Sequence, residues 1–295
     1  MPCYKPLKGW VTPTGMDFAR KGRSTPPTPV PCGQCIGCRL DHSRDWALRC
    51  VLEASLYDDN CFLTLTYDED HLPGDRSLVK PHFQKFFKRL RKKYEPRKIR
   101  YFMCGEYGEN LGRPHYHAII FNYRPDDCEL FEPSRSGEDQ YTSATIQSLW
   151  GKGLCTIGEV NYQTAAYTAR YCLKKVTGSA ADAHYERVNE YFNFTYQIEP
   201  EYAEMSRRPG IGSDWYKQFS TDVFPSDFIT IDGEKHRIPR FFTNRLQTSD
   251  AEAHAEIKEN RKISATKHKS NNTRVRLRVR KKCAELRAKQ LVREL

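Results

Sequence analysis

Residues 1–31 are rich in Pro, Gly and Thr, and the run Thr25-Pro26-Pro27-Thr28-Pro29 excludes helix and central strand there. From Arg39 to about residue 57 the pattern turns helical, with Trp46, Arg49, Cys50 and Glu53 at helical spacings. Residues 61–67 then alternate as a β-branched-rich strand. After Pro73-Gly74, residues 80–94 predict an amphipathic helix. Its inward face carries Phe83, Phe86, Phe87 and Leu90, and its outward face Lys85, Lys88, Arg89, Arg91, Lys92 and Lys93.

Two strands are expected next, over 98–107 and 114–122. The link from Gly108 to Arg113 has the Gly and Asn content of a hairpin loop. A polar insertion covers about 123–140, followed by a short helix at 143–150, a strand at 154–160 and a helix at 162–175. The order β-α-β-β-α-β-α over 61–176 predicts an α+β fold: a ferredoxin-like antiparallel sheet with helices on one face, the other face left free for a ligand. Four regions are expected: a Cys-rich segment and helix (1–60), the core (61–177), an extension (178–250) and a basic tail (251–295).

Charge narrows the class of partner. The 295-residue chain carries 48 Lys and Arg against 37 Asp and Glu, a net +11. Residues 251–295 hold 14 of those cations against 5 Glu, so the tail supplies +9 of the total. A polyanion is the expected partner, nucleic acid ahead of membrane, with a tail that merely aids solubility as the alternative. No stretch approaches the roughly 20 apolar residues of a membrane span, and the start of the chain lacks the apolar core of a secretory signal. A cytosolic protein is expected.

Eleven cysteines, an odd number, argue against a disulfide framework. Cys50, Cys61, Cys104, Cys155 and Cys172 sit singly in apolar surroundings and suit a core. Cys32-x₂-Cys35-x₂-Cys38 is different, because three thiolates at that spacing fit one tetrahedral Zn²⁺ if a fourth ligand exists. Cys3 is the first choice for the fourth and His42 the second. An iron–sulfur cluster is the alternative metal, although the Cys-Pro that commonly ends its pattern is absent. The expected role is a structural clamp on a segment with little core of its own.

On the strand after the hairpin, His115 and His117 lie two apart and therefore share a face. Glu106, on the preceding strand, faces the same side as Phe102 and Cys104, where an antiparallel partner of His115 would lie. Two imidazoles and one carboxylate with open positions suit Mg²⁺ or Mn²⁺. Glu109, in the turn, is the reserve ligand. On the last predicted helix Tyr167 and Tyr171 are one turn apart, and Lys174 joins their face. Either feature alone is commonplace, a surface His pair or an aromatic stripe packed on a sheet. The combination is informative.

His115-Tyr116-His117 followed by Tyr167-x₃-Tyr171-x₂-Lys174 resembles the HUH endonucleases, in which two His flank a bulky hydrophobic residue. Phe62-Leu63-Thr64-Leu65-Thr66 is similar to their first motif. Pro31 to Arg39, and the run Met205-Ser206-Arg207-Arg208-Pro209-Gly210-Ile211-Gly212, resemble the replication initiation proteins of gokushoviruses, a branch of the microviruses. The resemblance runs from residue 3 to about 246, and Tyr116 is aromatic where many relatives are aliphatic. It implies a rolling-circle initiator acting in the cytoplasm of a bacterial host. A metal at His115, His117 and Glu106 would polarise the scissile phosphate for attack by Tyr167 or Tyr171. Lys174 would stabilise charge on phosphate or phenolate, with Lys175 a weaker candidate. Attack would leave a 5′-phosphotyrosine and a 3′-hydroxyl that primes a polymerase. Two tyrosines would let one hold the old 5′ end while the other cuts the regenerated origin.

Partners implied are single-stranded DNA, origin duplex, and host helicase and polymerase; the sequence has no Walker motif for unwinding. Arg170, Lys175, Arg207 and Arg208 are the expected DNA contacts, the last two beside Trp215 and Tyr216 as stacking rings. The rivals are a relaxase or transposase of the same chemistry, and a non-catalytic zinc-containing nucleic-acid-binding protein. The last explains the cysteines and the charge but leaves the His and Tyr residues without purpose.

Overall fold

In a computed structural model that describes residues 3–19, 25–133, 137–170, 174–189 and 191–290, the Pro-rich start forms three short strands. They are β1 (Leu7–Thr12), β2 (Gly15–Asp17) and β3 (Thr28–Val30), paired antiparallel in the order β2-β1-β3. Pro29 sits in the edge strand of this sheet, the place where a missing N–H is tolerated. Helix α1 (Ile36–Ala54) follows.

The main sheet takes up the alternating segments. Its strands are β4 (Asn60–Leu65), β5 (Arg100–Tyr107), β6 (Pro114–Phe121), β7 (Cys128–Pro133), β8 (Asp139–Ser143), β9 (Cys155–Gly158) and, beyond the short hairpin β10 (Glu186–Asn189) and β11 (Phe194–Gln197), β12 (Tyr202–Met205). The order is β12-β5-β6-β4-β9-β8-β7, and the pairings are antiparallel. The polar insertion after residue 123 therefore extends the sheet at one edge, and β12 extends it at the other.

Helices α2 (Lys80–Lys93) and α3 (Ala144–Trp150) cover one face. Phe83, Phe86, Phe87 and Leu90 of α2 and Ile146 and Trp150 of α3 pack there with Leu63, Leu65, Met103, Tyr116, Ala118 and Ile120. The Ser143 hydroxyl caps α3 by accepting from the Ile146 N–H, and Gly151 ends it in the left-handed conformation. Gly153 lets the next turn close on the segment just after β4: at φ +140° a Cβ there would meet the Asp68 nitrogen at 2.5 Å.

Helices are not confined to that face. Ala47, Cys50 and Ala54 of α1 and Ala165, Tyr167 and Ala169 of α4 (Tyr162–Ala169) pack on the opposite side with Phe62, Phe102, Ile119 and Phe121. The expected free face is thus partly covered, because α1 and α4 carry apolar stripes that need burial too. A capping box between Asn161 and Thr164 starts α4, and Arg170 is its C-cap. Tyr171, Cys172 and Leu173 lie outside the described residues.

The chain divides into two compact units, Ser43–Phe242 and Met1–His42 with Thr243–Leu291. The first also contains α5 (Ala181–Tyr185), α6 (Ser213–Val223) and the hairpin β13 (Phe228–Ile231) and β14 (Glu234–Arg237). Helix α7 (Arg240–Ser249) spans the division. The second unit holds β1–β3, α8 (Ala251–Lys267) and α9 (Arg274–Lys289), with Ile257 and Leu277 buried. Among the described residues no helix is long and apolar enough to cross a membrane.

Candidate metal centre and reaction site

Antiparallel pairing of β5 with β6 sets Glu106 opposite His115 and Cys104 opposite His117. Alternation then sends Glu106, His115 and His117 to one face, as parity along the strands predicts. One ligand atom from each lies within 4.8 Å of the others. His115 Nε2 is 3.2 Å and His117 Nε2 3.5 Å from the same carboxylate oxygen, Glu106 Oε1. Glu109 stays exposed in the turn and is not part of this group.

Tyr116, between the histidines, points the other way and is fully buried. Its hydroxyl donates to the Val79 carbonyl and accepts from the Val79 N–H, each at 3.0 Å. The strand is thus pinned by its core face while its other face carries the two histidines.

The His117 ring is held on three sides. Thr64, its register partner on β4, places its hydroxyl 3.0 Å from Nδ1. Phe62 stacks on the ring at 5.5 Å between centroids and 10° between planes, and Tyr167 meets it edge-on at 4.9 Å. A hydrogen bond from Nδ1–H to the Thr64 oxygen leaves the Nε2 lone pair facing the ligand group. That nitrogen is buried and makes no hydrogen bond. Burial holds the His117 ring below its ordinary pKa, which favours the neutral, metal-binding form. Burial works against the Glu106 charge, yet the hydrogen bond from His115 and the nearby His117 imidazole hold its carboxyl well below the usual range. A buried orphan imidazole nitrogen beside a carboxylate and a second imidazole fits a divalent cation such as Mg²⁺ or Mn²⁺. Thr64 and Phe62 belong to the strand that resembles the first motif, and parity along β4 puts both on the face of Glu106, His115 and His117.

Tyr167 and Lys174 arrive from the segment after β9. The Tyr167 hydroxyl donates to Glu106 Oε1 at 3.4 Å, and Lys174 Nζ lies 2.9 Å from the same oxygen. Burial, with the neighbouring Glu106 charge, pushes the Tyr167 phenol above its ordinary value. The Arg170 guanidinium lies 5.5 Å over the Tyr167 ring, and Lys175 is half-buried next to Lys174.

The gokushovirus-like run after β12 is anchored, not loose. Arg49 donates to the Ile211 carbonyl at 2.9 and 3.0 Å, Glu53 accepts from the Gly212 N–H at 2.7 Å, and Arg100 donates to the Pro209 carbonyl at 2.7 Å. Arg207 and Arg208 remain exposed. Trp215 and Tyr216 do not form the expected stacking surface with them. Both are 7% exposed and pack against Phe242, because the apolar side of α6 is needed as core.

In the other unit Cys3 joins Cys32, Cys35 and Cys38, and the four sulfurs lie within 4.8 Å of one another. Tetrahedral Zn²⁺ with bonds of about 2.3 Å separates its sulfurs by about 3.8 Å, so the donors present fit that ion. Backbone N–H groups of Cys32, Tyr4 and Cys35 donate to Cys3, Cys35 and Cys32 sulfurs, each at 3.3 Å. Burial pushes the Cys35 thiol up, but hydrogen bonds from Tyr4 and Cys38 outweigh it and bring the thiol to about 7. His42 is exposed and stands outside this group.

The model of the family described as replication-associated protein ORF2/G2P matches residues 60–176. Replication-associated protein VP4 of Bdellovibrio phage phiMH2K is 34% identical over 254 residues, which is 82% of this chain and 76% of the relative. Replication-associated protein ORF2 of Spiroplasma virus 4 is 38% identical over 230 residues, 74% of this chain and 68% of the relative. The chain belongs to the gokushovirus family of replication-associated proteins. Replication-associated protein ORF4 of Chlamydia phage 1 is 30% identical over 227 residues, 74% of this chain and 54% of the relative. No solved structure matches the chain. Within the family match fall Glu106, His115, His117, Tyr167, Tyr171 and Lys174, whereas the four cysteines lie outside it.

Proposed function

We propose that this replication-associated protein initiates rolling-circle replication by nicking the origin strand of phage DNA in the cytoplasm of the bacterial host. The observation that carries the reading is the convergence of His115, His117, Tyr167 and Lys174 on one buried carboxylate, Glu106. A phenol beside a two-His, one-carboxylate group, with a cation at hand, is the equipment of phosphodiester exchange. A bound Mg²⁺ or Mn²⁺ would supply charge on the phosphate oxygens. His115, His117 and Glu106 would hold it.

The chain's own residues then do the following. The Tyr167 oxygen attacks the scissile phosphorus as its proton passes to solvent, the bond to the 3′ oxygen breaks, and that oxygen takes a proton from solvent and leaves as a 3′-hydroxyl. The 5′ phosphate remains on the tyrosine as a phosphodiester, so a later 3′-hydroxyl reverses the exchange and closes a circle. Lys174 offsets negative charge that grows on phosphate or phenolate. Tyr171 is the second nucleophile in this reading, and DNA strand release and priming call on host helicase and polymerase. Arg170, Lys175, Arg207 and Arg208 contribute to DNA contacts, and the cysteine group holds a structural Zn²⁺.

The test is to incubate the protein with Mn²⁺ and an origin-bearing single-stranded oligonucleotide. The expected product is a denaturation-resistant protein–DNA adduct, absent from His117→Ala, whose DNA binding is little changed because affinity comes mostly from Lys and Arg. Cleavage without an adduct, or equal loss of binding in the variant, would overturn the reading.

A further inference from the structure

Large apolar side chains left in solvent as a contiguous group mark a surface that meets something else. The hairpin of β10 and β11 presents such a group. Its base is tied down firmly. Tyr185 and Ile198 are buried, the Ile198 N–H donates to the Tyr185 carbonyl at 3.0 Å, and the Tyr185 hydroxyl donates to Glu201 at 2.5 Å. The Val176 N–H donates to that same hydroxyl at 2.9 Å, two residues beyond Lys174. Glu201 leads into β12, whose Tyr202 pairs with Gly105, the neighbour of Glu106. The hairpin therefore springs from the end of the sheet that carries the reaction site.

Among the described residues, its far end joins none of the buried clusters. Tyr191 is 88% exposed, Phe192 68% and Phe194 50%. The rings form a connected row: Tyr191 to Phe192 at 4.7 Å, Phe192 to Phe194 at 6.4 Å and Phe194 to Tyr196 at 6.0 Å between centroids. Phe194 and Tyr196 share a face by strand alternation, and Arg187 stands directly across from Tyr196 on that face.

We propose that this row is a stacking platform for the bases of single-stranded DNA on its way to or from the site. The inference rests on the reading that the site exchanges DNA phosphodiesters. Phenylalanine faces offer no hydrogen bond, so they suit a ligand recognised by its flat apolar face, whatever its sequence. Paired bases hide those faces, so the platform selects unpaired strand over duplex. Arg187 supplies a cation for the backbone alongside the rings. Continuity with the reaction site favours the DNA strand over a protein as the occupant.

The experiment measures binding by fluorescence anisotropy, without divalent metal. The probes are a labelled oligothymidylate and an oligonucleotide of the same length and charge built of abasic units. Wild-type protein should favour the base-bearing probe. The double variant Phe192→Ala/Phe194→Ala should lose about tenfold or more on that probe and almost nothing on the abasic one, since each stacked base contributes substantially. Phe192→Trp should keep or strengthen the preference, and thermal melts should match because the rings are exposed. A double variant that retains full preference for bases, or wild-type protein with none, would overturn the platform and leave the rings to a protein partner. The assay needs no cleavage. Base-dependent binding with no tyrosine adduct would defeat the nicking reading alone, and an adduct without base-dependent binding would defeat the platform alone.

Discussion

The Thr64 hydroxyl lies 3.0 Å from Nδ1 of His117 and fixes which ring nitrogen faces Glu106. Thr64→Val, which keeps the branched shape and removes the oxygen, should weaken Mn²⁺ binding by about 10- to 100-fold, the usual effect of losing such a partner. Thr64→Ser should keep most of the affinity. Isothermal titration with Mn²⁺ decides, and equal affinity in the valine variant would make the contact incidental.

Lys174 holds the oxygen that a cation would take. Its ammonium is 2.9 Å from Glu106 Oε1, so a divalent ion must displace or outbid it. Lys174→Met should therefore bind Mn²⁺ several-fold more tightly. It should also form the DNA adduct roughly 10- to 100-fold more slowly, because charge on the reacting phosphate loses a stabiliser. An unchanged adduct rate would remove Lys174 from the reaction.

Tyr167→Phe deletes only the hydroxyl and leaves the ring edge-on to His117, so the fold should persist. In the two-nucleophile reading, this variant and Tyr171→Phe should each keep some cleavage of a short origin oligonucleotide. Neither should complete circle release, and the double variant should form no adduct. Gel analysis of adduct and circle products checks this. One dead variant beside one fully competent variant would leave a single nucleophile.

Cys35→Ser removes one of four converging sulfurs. Purified wild-type protein should carry about one equivalent of zinc, and the variant should release it and melt lower. Each kcal/mol lost should move Tm by about 2–4 °C in a chain of this size, so a drop of several degrees is expected. Metal analysis and a thermal scan read both effects, and wild-type protein without metal would refute the zinc assignment.

Much of this was legible beforehand because two-residue alternation is rigid. Once β5 and β6 pair through a short hairpin, Glu106, His115 and His117 must share a face. The choice of Cys3 rested on a chain able to fold back, and the strands β1–β3 accomplish that return. What escaped was longer in range. Nothing in residues 123–140 announces that β7 and β8 will extend the sheet, since a solvated edge strand has the polarity of a loop. Trp215 and Tyr216 look like stacking rings until the apolar side of α6 finds Phe242. The coverage of the second face by α1 and α4 likewise depends on packing between segments more than a hundred residues apart.

Tyr116 ties the two sides of one strand together in a way that constrains how this protein can change. With its hydroxyl locked to the Val79 backbone, a slip of β6 by one residue would drive both histidines into the core and turn Tyr116 out to the face that Glu106 occupies. Mutational freedom is therefore divided unevenly along three adjacent positions. Exchanges at 115 and 117 would alter the group around Glu106 while the scaffold survives. An exchange at 116 touches none of those three side chains, yet it loosens the interlock that keeps both histidines beside Glu106. Constraint would then fall on a side chain buried on the opposite side of the sheet from the histidines.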